Sequence, residues 1–101
     1  MGRYTLSRKA DDDLSNIWVQ RIINGGTIEN ANALIEGFYA TFERLGDFPD
    51  MGTRRDYLPP DALAFPHKKR HMIFYEKIVE GVEIVQVLPA DMDFWAYFAE
   101  E

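Results

Sequence analysis

The tetrad Asn24-Gly25-Gly26-Thr27 divides the first half of the chain into two segments of helical apolar spacing, and that division constrains the fold more than any other feature. Upstream, Ala10, Leu14, Ile17, Trp18 and Ile22 recur at the helical period. Ser7 stands where an N-cap belongs, and Asp11, Asp12 and Asp13 follow in the early turns, where the helix dipole favours anions. Downstream, Ile28, Ala31, Ile35, Phe38, Phe42 and Leu45 step by three or four residues and form one apolar stripe. The glycines stop the first helix and Thr27 caps the second, which Gly46 and Pro49 end. The stripe lasts less than three heptads, too short for a coiled-coil seam. Two helices joined by so short a turn instead form an antiparallel hairpin, whose apolar face needs a second layer to cover it.

The second half supplies that layer. Tyr4, Thr5 and Leu6 suit a short first strand. Residues 50–71 read as a basic, loop-like connection broken by Pro59-Pro60 and Phe65-Pro66. Met72-Ile73-Phe74-Tyr75 then forms a β-prone run, Glu80-Gly81 a turn, and Val82 to Leu88 a second run that Pro89 closes; the pair reads as an antiparallel hairpin. Asp93 caps a short terminal helix or tail bearing Phe94, Trp95, Tyr97 and Phe98. The expected class is α+β, ordered β-α-α-β-β-β, with the helical hairpin on one face of a small antiparallel sheet. At 101 residues with 47% hydrophobic content, the chain has material for one core, so residues 1–101 are read as a single domain.

The formal charge of −6 disfavours a protein that coats nucleic acid by itself, yet the acidity is blocky. Residues 1–10 carry three positive and no negative side chains, and residues 51–75 carry five positive and two negative; the other two blocks are acidic. Without cysteine there is no disulfide frame, thiol nucleophile or Cys-based zinc site, which suits the cytoplasm. No apolar run reads as a leader or a membrane span. The acidic triplet reads as a solvated helix start rather than a cation site. His67 and His71 have the i, i+4 spacing of a helical metal pair, but Pro66 and the β-prone run that follows argue against a helix there. No metal or cofactor is expected.

Matching features in order along nearly the whole chain resemble the ParE branch of the RelE/ParE superfamily, toxins of type II toxin–antitoxin systems. They begin at Tyr4, Leu6-Ser7, Ala10 and Asp13-Leu14 with Ile17-Trp18. They run through Pro49, Met51-Gly52, Arg54 or Arg55, Leu58 and Phe65-Pro66 to His71–Tyr75, Val82-Glu83-Ile84, Val87-Leu88 and Asp93. The resemblance implies a non-enzymatic protein toxin that inhibits DNA gyrase by contact. It also implies a co-encoded, DNA-binding antitoxin that wraps and neutralises it. The alternatives are a ribosome-dependent mRNA endoribonuclease of the RelE type and a detoxified relic that only binds antitoxin.

An RNA-cutting member needs a general acid and base, with cations aimed at the phosphate. The His67-Lys68-Lys69-Arg70-His71 cluster supplies candidates, but the last strand carries Gln86 and Pro89 where the resemblance leads one to expect Arg and His. Glu76 likewise follows Ile73-Phe74-Tyr75 where ParE members often have Arg. No catalytic residue is therefore assigned. The expected antitoxin- or target-binding residues are Arg54, Arg55, Lys68, Lys69, Arg70, His71, Trp95 and Phe98. The basic 54–71 segment is expected to meet an acidic stretch of the antitoxin. The aromatic tail serves either as an interface or as a lid docked on the core.

Overall fold

A computed structural model describes residues 3–99; Met1, Gly2, Glu100 and Glu101, which enter the N-terminal and tail readings above, lie outside them. The dividing tetrad folds as two back-to-back caps. Helix α1 (Arg8–Ile23) ends with Gly26 N donating to Arg21 O at 2.9 Å and Gly25 N donating to Ile22 O at 3.1 Å. This is the Schellman arrangement, and it places Gly25 at a φ of 97°, where a side chain is strained. Helix α2 (Ile28–Asp47) starts at once: Thr27 Oγ1 accepts from Asn30 N, and Asn30 Oδ1 accepts from Thr27 N. Trp18 Nε1 donates to Asn32 Oδ1 across the hairpin at 2.9 Å.

The strands are β1 (Arg3–Leu6), β2 (Ala62–His67), β3 (His71–Ile78) and β4 (Gly81–Pro89), in sheet order β1-β4-β3-β2. The α+β architecture is as expected, and β3 and β4 form the antiparallel hairpin. Two details differ from the expectation. The β1–β4 pair is parallel, so the sheet is mixed. Residues 62–67, within the segment read as loop, form an edge strand antiparallel to β3. The prolines obscured this strand without preventing it. Ala64 exchanges both backbone bonds with Thr53 on the outer side, so Pro66, two residues on, also turns its missing N–H away from β3.

A bulge in β4 decides what each face of the sheet carries. Phe74 pairs with Gln86 and Tyr75 with Ile84, leaving Val85 as an extra residue. The alternation changes phase there: Val82 and Ile84 face the helices, and so does Val87, while Gln86 and Leu88 turn outward. The start of α1 ties the bulge down. Ser7 caps α1 by accepting from Ala10 N, and its hydroxyl also donates to Val85 O at 2.7 Å. Asp13 Oδ2 accepts from Val87 N at 3.0 Å, and its Oδ1 accepts from Lys9 Nζ at 2.6 Å. The expected solvated helix start thus holds for Asp11 and Asp12, whereas Asp13 is buried.

The inner core joins Leu14, Phe38, Phe42 and Leu45 of the helices to Ile73, Tyr75 and Ile84 of the sheet. A second, smaller cluster lies on the other face, where Ala64, Phe74 and Leu88 are covered by Tyr57, Leu58 and the terminal helix α3 (Phe94–Ala99).

Candidate functional site

The β2–β3 connection is a tight, cationic turn. Arg70 N donates to His67 O at 3.1 Å, and Lys68 and Lys69 hold φ values of 52° and 62°. Two successive positive φ angles define a type I′ turn, normally the place of Asn and Gly. Two lysines there cost about 1 kcal/mol or more each in backbone strain. Ala90 N donates to Arg70 O at 2.9 Å, tying the turn to the end of β4.

His67 and His71 face each other at the base of the turn, and both rings lie on Phe38. The His67 ring stacks at 4.3 Å and the His71 ring meets Phe38 edge-on at 5.1 Å. His67 Nδ1 is 3.0 Å from Thr41 Oγ1, and that hydroxyl donates to Gly37 O. The buried Nε2 has no hydrogen-bond partner among the described residues. Burial pulls both imidazoles below the ordinary histidine range; Lys68 and then His71 add to this at His67, and Arg70 adds to it at His71.

A cleft of about 770 Å³ lies beside this turn, between the late turns of α1, the early turns of α2 and the end of β4. Lys68, Arg70 and His71 line it, and so does Arg21, which sequence reasoning did not single out. The available signal was a lone cation in the last turn of α1, a position that ordinary dipole complementarity explains. The Arg21 side chain folds back over Gly26, and Lys68 reaches towards Gly37, where no side chain stands in its way. Ile17, Leu34 and Val87 form the apolar wall.

The remaining predicted residues lie elsewhere. Arg54 and Arg55 sit before β2, with the length of that strand, roughly 17 Å, between them and Lys68. The Arg54 guanidinium donates to Pro60 O, and Arg55 Nε donates to Thr53 Oγ1 at 3.1 Å, so both brace their own loop. The basic 54–71 segment is therefore two separate patches.

Phe98 and Trp95 belong to the outer face, where α3 docks. Phe98 packs on Phe74 at 5.2 Å and on Tyr57 at 5.7 Å, and Phe94 stacks on Tyr57 at 5.6 Å. Asp93 Oδ1 caps α3 by accepting from Ala96 N. Trp95 meets Tyr57 edge-on and stays 61% exposed, the large aromatic that α3 offers to solvent. The tail is thus a docked lid with one exposed ring. Beneath it Gln86 is buried, its Oε1 accepting from the Tyr97 hydroxyl at 2.9 Å. Glu76 pairs across the sheet with Glu83, which places two carboxylates side by side.

The arrangement of a helical hairpin on a four-stranded mixed sheet closed by a short terminal helix recurs in a solved structure. The structure matches a chain of the chromosomal ParDE TA system from P. aeruginosa with a TM-score of 0.75, covering 90% of this chain and 98% of that one at 16% identity. The sequence profile described as ParE toxin of type II toxin-antitoxin system, parDE, matches residues 4–94. Toxin ParE1 of Caulobacter vibrioides is 31% identical over 101 residues, 96% of this chain and 98% of that protein. The chain belongs to the ParE toxin family.

Proposed function

We propose that this ParE-family chain is a cytoplasmic toxin that inhibits DNA gyrase by protein–protein contact and is held inactive by a cognate antitoxin. Family membership supports the antitoxin partnership. The observation favouring contact over RNA cleavage is the state of the outer sheet face. There the amide of Gln86 is engaged by Tyr97, and Phe74, Tyr57, Phe94 and Phe98 fill the surface around it. An RNA phosphate needs cations aimed at it in that space, and none of these residues carries a positive charge. His67 of the turn does not replace them, since its ring is enclosed against Phe38 with Nε2 out of solvent. No described helix is long and apolar enough to cross a membrane.

Purified protein added to a gyrase supercoiling reaction and to a cell-free translation reaction tests the reading. Loss of supercoiling with translation intact is the expected outcome, and the reverse pattern would make the chain a ribonuclease. Silence in both reactions, with antitoxin binding retained, would mark a relic.

A further inference from the structure

We propose that the end of the molecule built from the β3–β4 turn and the C-terminus of α2 is a contact surface for a protein that is basic around an apolar centre. The assignment rests on the toxin reading above, in which that protein is the gyrase target and not the antitoxin, and it names the surface and the chemistry of the contact.

This surface lies at the far end of β3 from the cationic turn, roughly 23 Å away along the strand. Its first feature is exposed apolar side chain. Val79 sits at the tip of the two-residue turn between Ile78 and Gly81 and is fully exposed. Ile78 beside it is 43% exposed, and Phe48 at the end of α2 is 62% exposed. Asp47 and Pro49, on either side of Phe48, share a hollow of about 350 Å³ with Ile78 and Val79, so the three side chains belong to one patch. Single apolar residues on a surface need no explanation, whereas a group rimmed by charge marks an interaction site. A turn tip is ordinarily polar, and a valine that buries nothing there adds nothing to the fold.

The second feature is rigidity. The backbone of Arg3 runs between Gly46 and Gly81: a Cβ at Gly46 would lie 2.8 Å from Arg3 O, and one at Gly81 would lie 1.9 Å from it. The end of α2 and the β3–β4 turn are thereby clamped on one strand, which presents the patch preformed and lowers the ordering cost of binding.

The third feature is charge. A second hollow of about 450 Å³ adjoins the first through Lys77, which lines both. Asp47, Asp50, Asp61, Glu76 and Glu80 line the two hollows, against Arg54 and Lys77. Both cations are engaged, Lys77 with Asp50 at 2.7 Å and Arg54 with Pro60 O. Asp61 and Glu76 form no ion pair or hydrogen bond among the described residues. Glu76 also stands directly across from Glu83, a like-charge pairing that costs the sheet and that a cation from outside would relieve.

Together they select the occupant. The surplus carboxylates would repel a nucleic acid or an anionic membrane, and a second copy would set the same carboxylates against each other. A basic protein surface relieves them, with Val79 and Phe48 supplying the desolvated centre of the contact. The two ends of the molecule carry opposite surplus charge, which suits two partners of opposite charge: an acidic antitoxin stretch at the turn and a basic target surface here.

The test is a gyrase supercoiling titration with the full chain, run beside a titration of the same proteins with full-length cognate antitoxin. Phe48→Ser/Val79→Ser removes the apolar centre, and Glu76→Lys/Glu83→Lys reverses the charge while keeping two like charges side by side. Asp12→Lys/Glu36→Lys makes the same charge change at exposed helical sites, and thermal melts confirm that each variant is folded. Each patch variant is expected to raise the concentration for half-inhibition at least ~10-fold, the charge reversal most strongly at about 50 mM salt. Both should leave antitoxin affinity within ~3-fold of wild type, and the control should move either readout less than ~3-fold. Inhibition by the wild-type chain that both patch variants retain in full would overturn the surface and leave the toxin reading intact. A wild-type chain without effect on supercoiling would remove that reading and this surface with it. Antitoxin binding lost with inhibition retained would make the patch an antitoxin contact, and a concentration-dependent dimer abolished by Phe48→Ser/Val79→Ser would make it a self-association face; either result overturns the assignment.

Discussion

One sheet is covered twice in this molecule, by unlike means. Its inner face lies under helices of 16 and 20 residues, which bury Phe38, Phe42 and Leu45 completely. Its outer face lies under one loop and a helix of six residues, none of which is itself buried. The inner cover holds the fold, because removing it would expose the largest buried side chains at once. The outer cover holds a surface, because its rings pack on Phe74 and Leu88 while remaining partly in water. Stability therefore differs across the sheet, with local opening expected first at α3.

Truncating the inner cover should have the largest effect. Phe38→Ala is expected to cost about 3–5 kcal/mol in chemical denaturation. Phe98→Ala, on the partly wet face, should cost less than half of that; equal costs would break the comparison. Asp13→Ala comes next, at about 2–3 kcal/mol, because it strands Val87 N and uncouples α1 from the bulge. Asp13→Asn keeps an acceptor oxygen and should recover part of the loss. If Asp13→Ala left stability untouched, the bulge would not depend on its clamp.

The turn reverses the sign. Lys68→Asn/Lys69→Gly should stabilise the fold by about 1 kcal/mol or more through relief of positive-φ strain, raising Tm by about 4–8 °C per kcal/mol in a domain of this size. The same change removes two cations, so it should also slow antitoxin association. A smaller effect belongs to the histidines. Both are pulled down in the fold, so the unfolded chain binds more protons once pH drops towards 6.5. Their contribution to stability is complete above that value and is lost as pH falls through their lowered folded values. His67→Gln should flatten this part of the pH–stability profile, and an unchanged profile in the His67→Gln/His71→Asn double variant would assign the slope to other groups.

Legibility followed locality. Ser7, the Gly25-Gly26 stop and the Thr27 cap act within a few residues, so periodicity and cap chemistry revealed the hairpin. The same holds for β3 and β4, which pair across a tight turn. The order β-α-α-β-β-β counts strand β2 without placing it, because its evidence is a partner: Pro66 forbids a central strand and permits an edge, and only the pairing says which it is. Among the site residues, Lys68, Arg70 and His71 announced themselves as a charge run, whereas Arg21 joined them through the fold.

The amino-acid sequence alone determined the two long helices, the β3–β4 hairpin, the α+β class and the family resemblance, because capping, spacing and ordered motifs are properties of short stretches. Only the tertiary structure decided that the basic segment is two patches and that Asp13 is a buried clamp. It also set Gln86 outward beneath Tyr97. These depend on a one-residue bulge at Val85 and on groups brought together from distant parts of the chain, and no local propensity encodes where such groups meet.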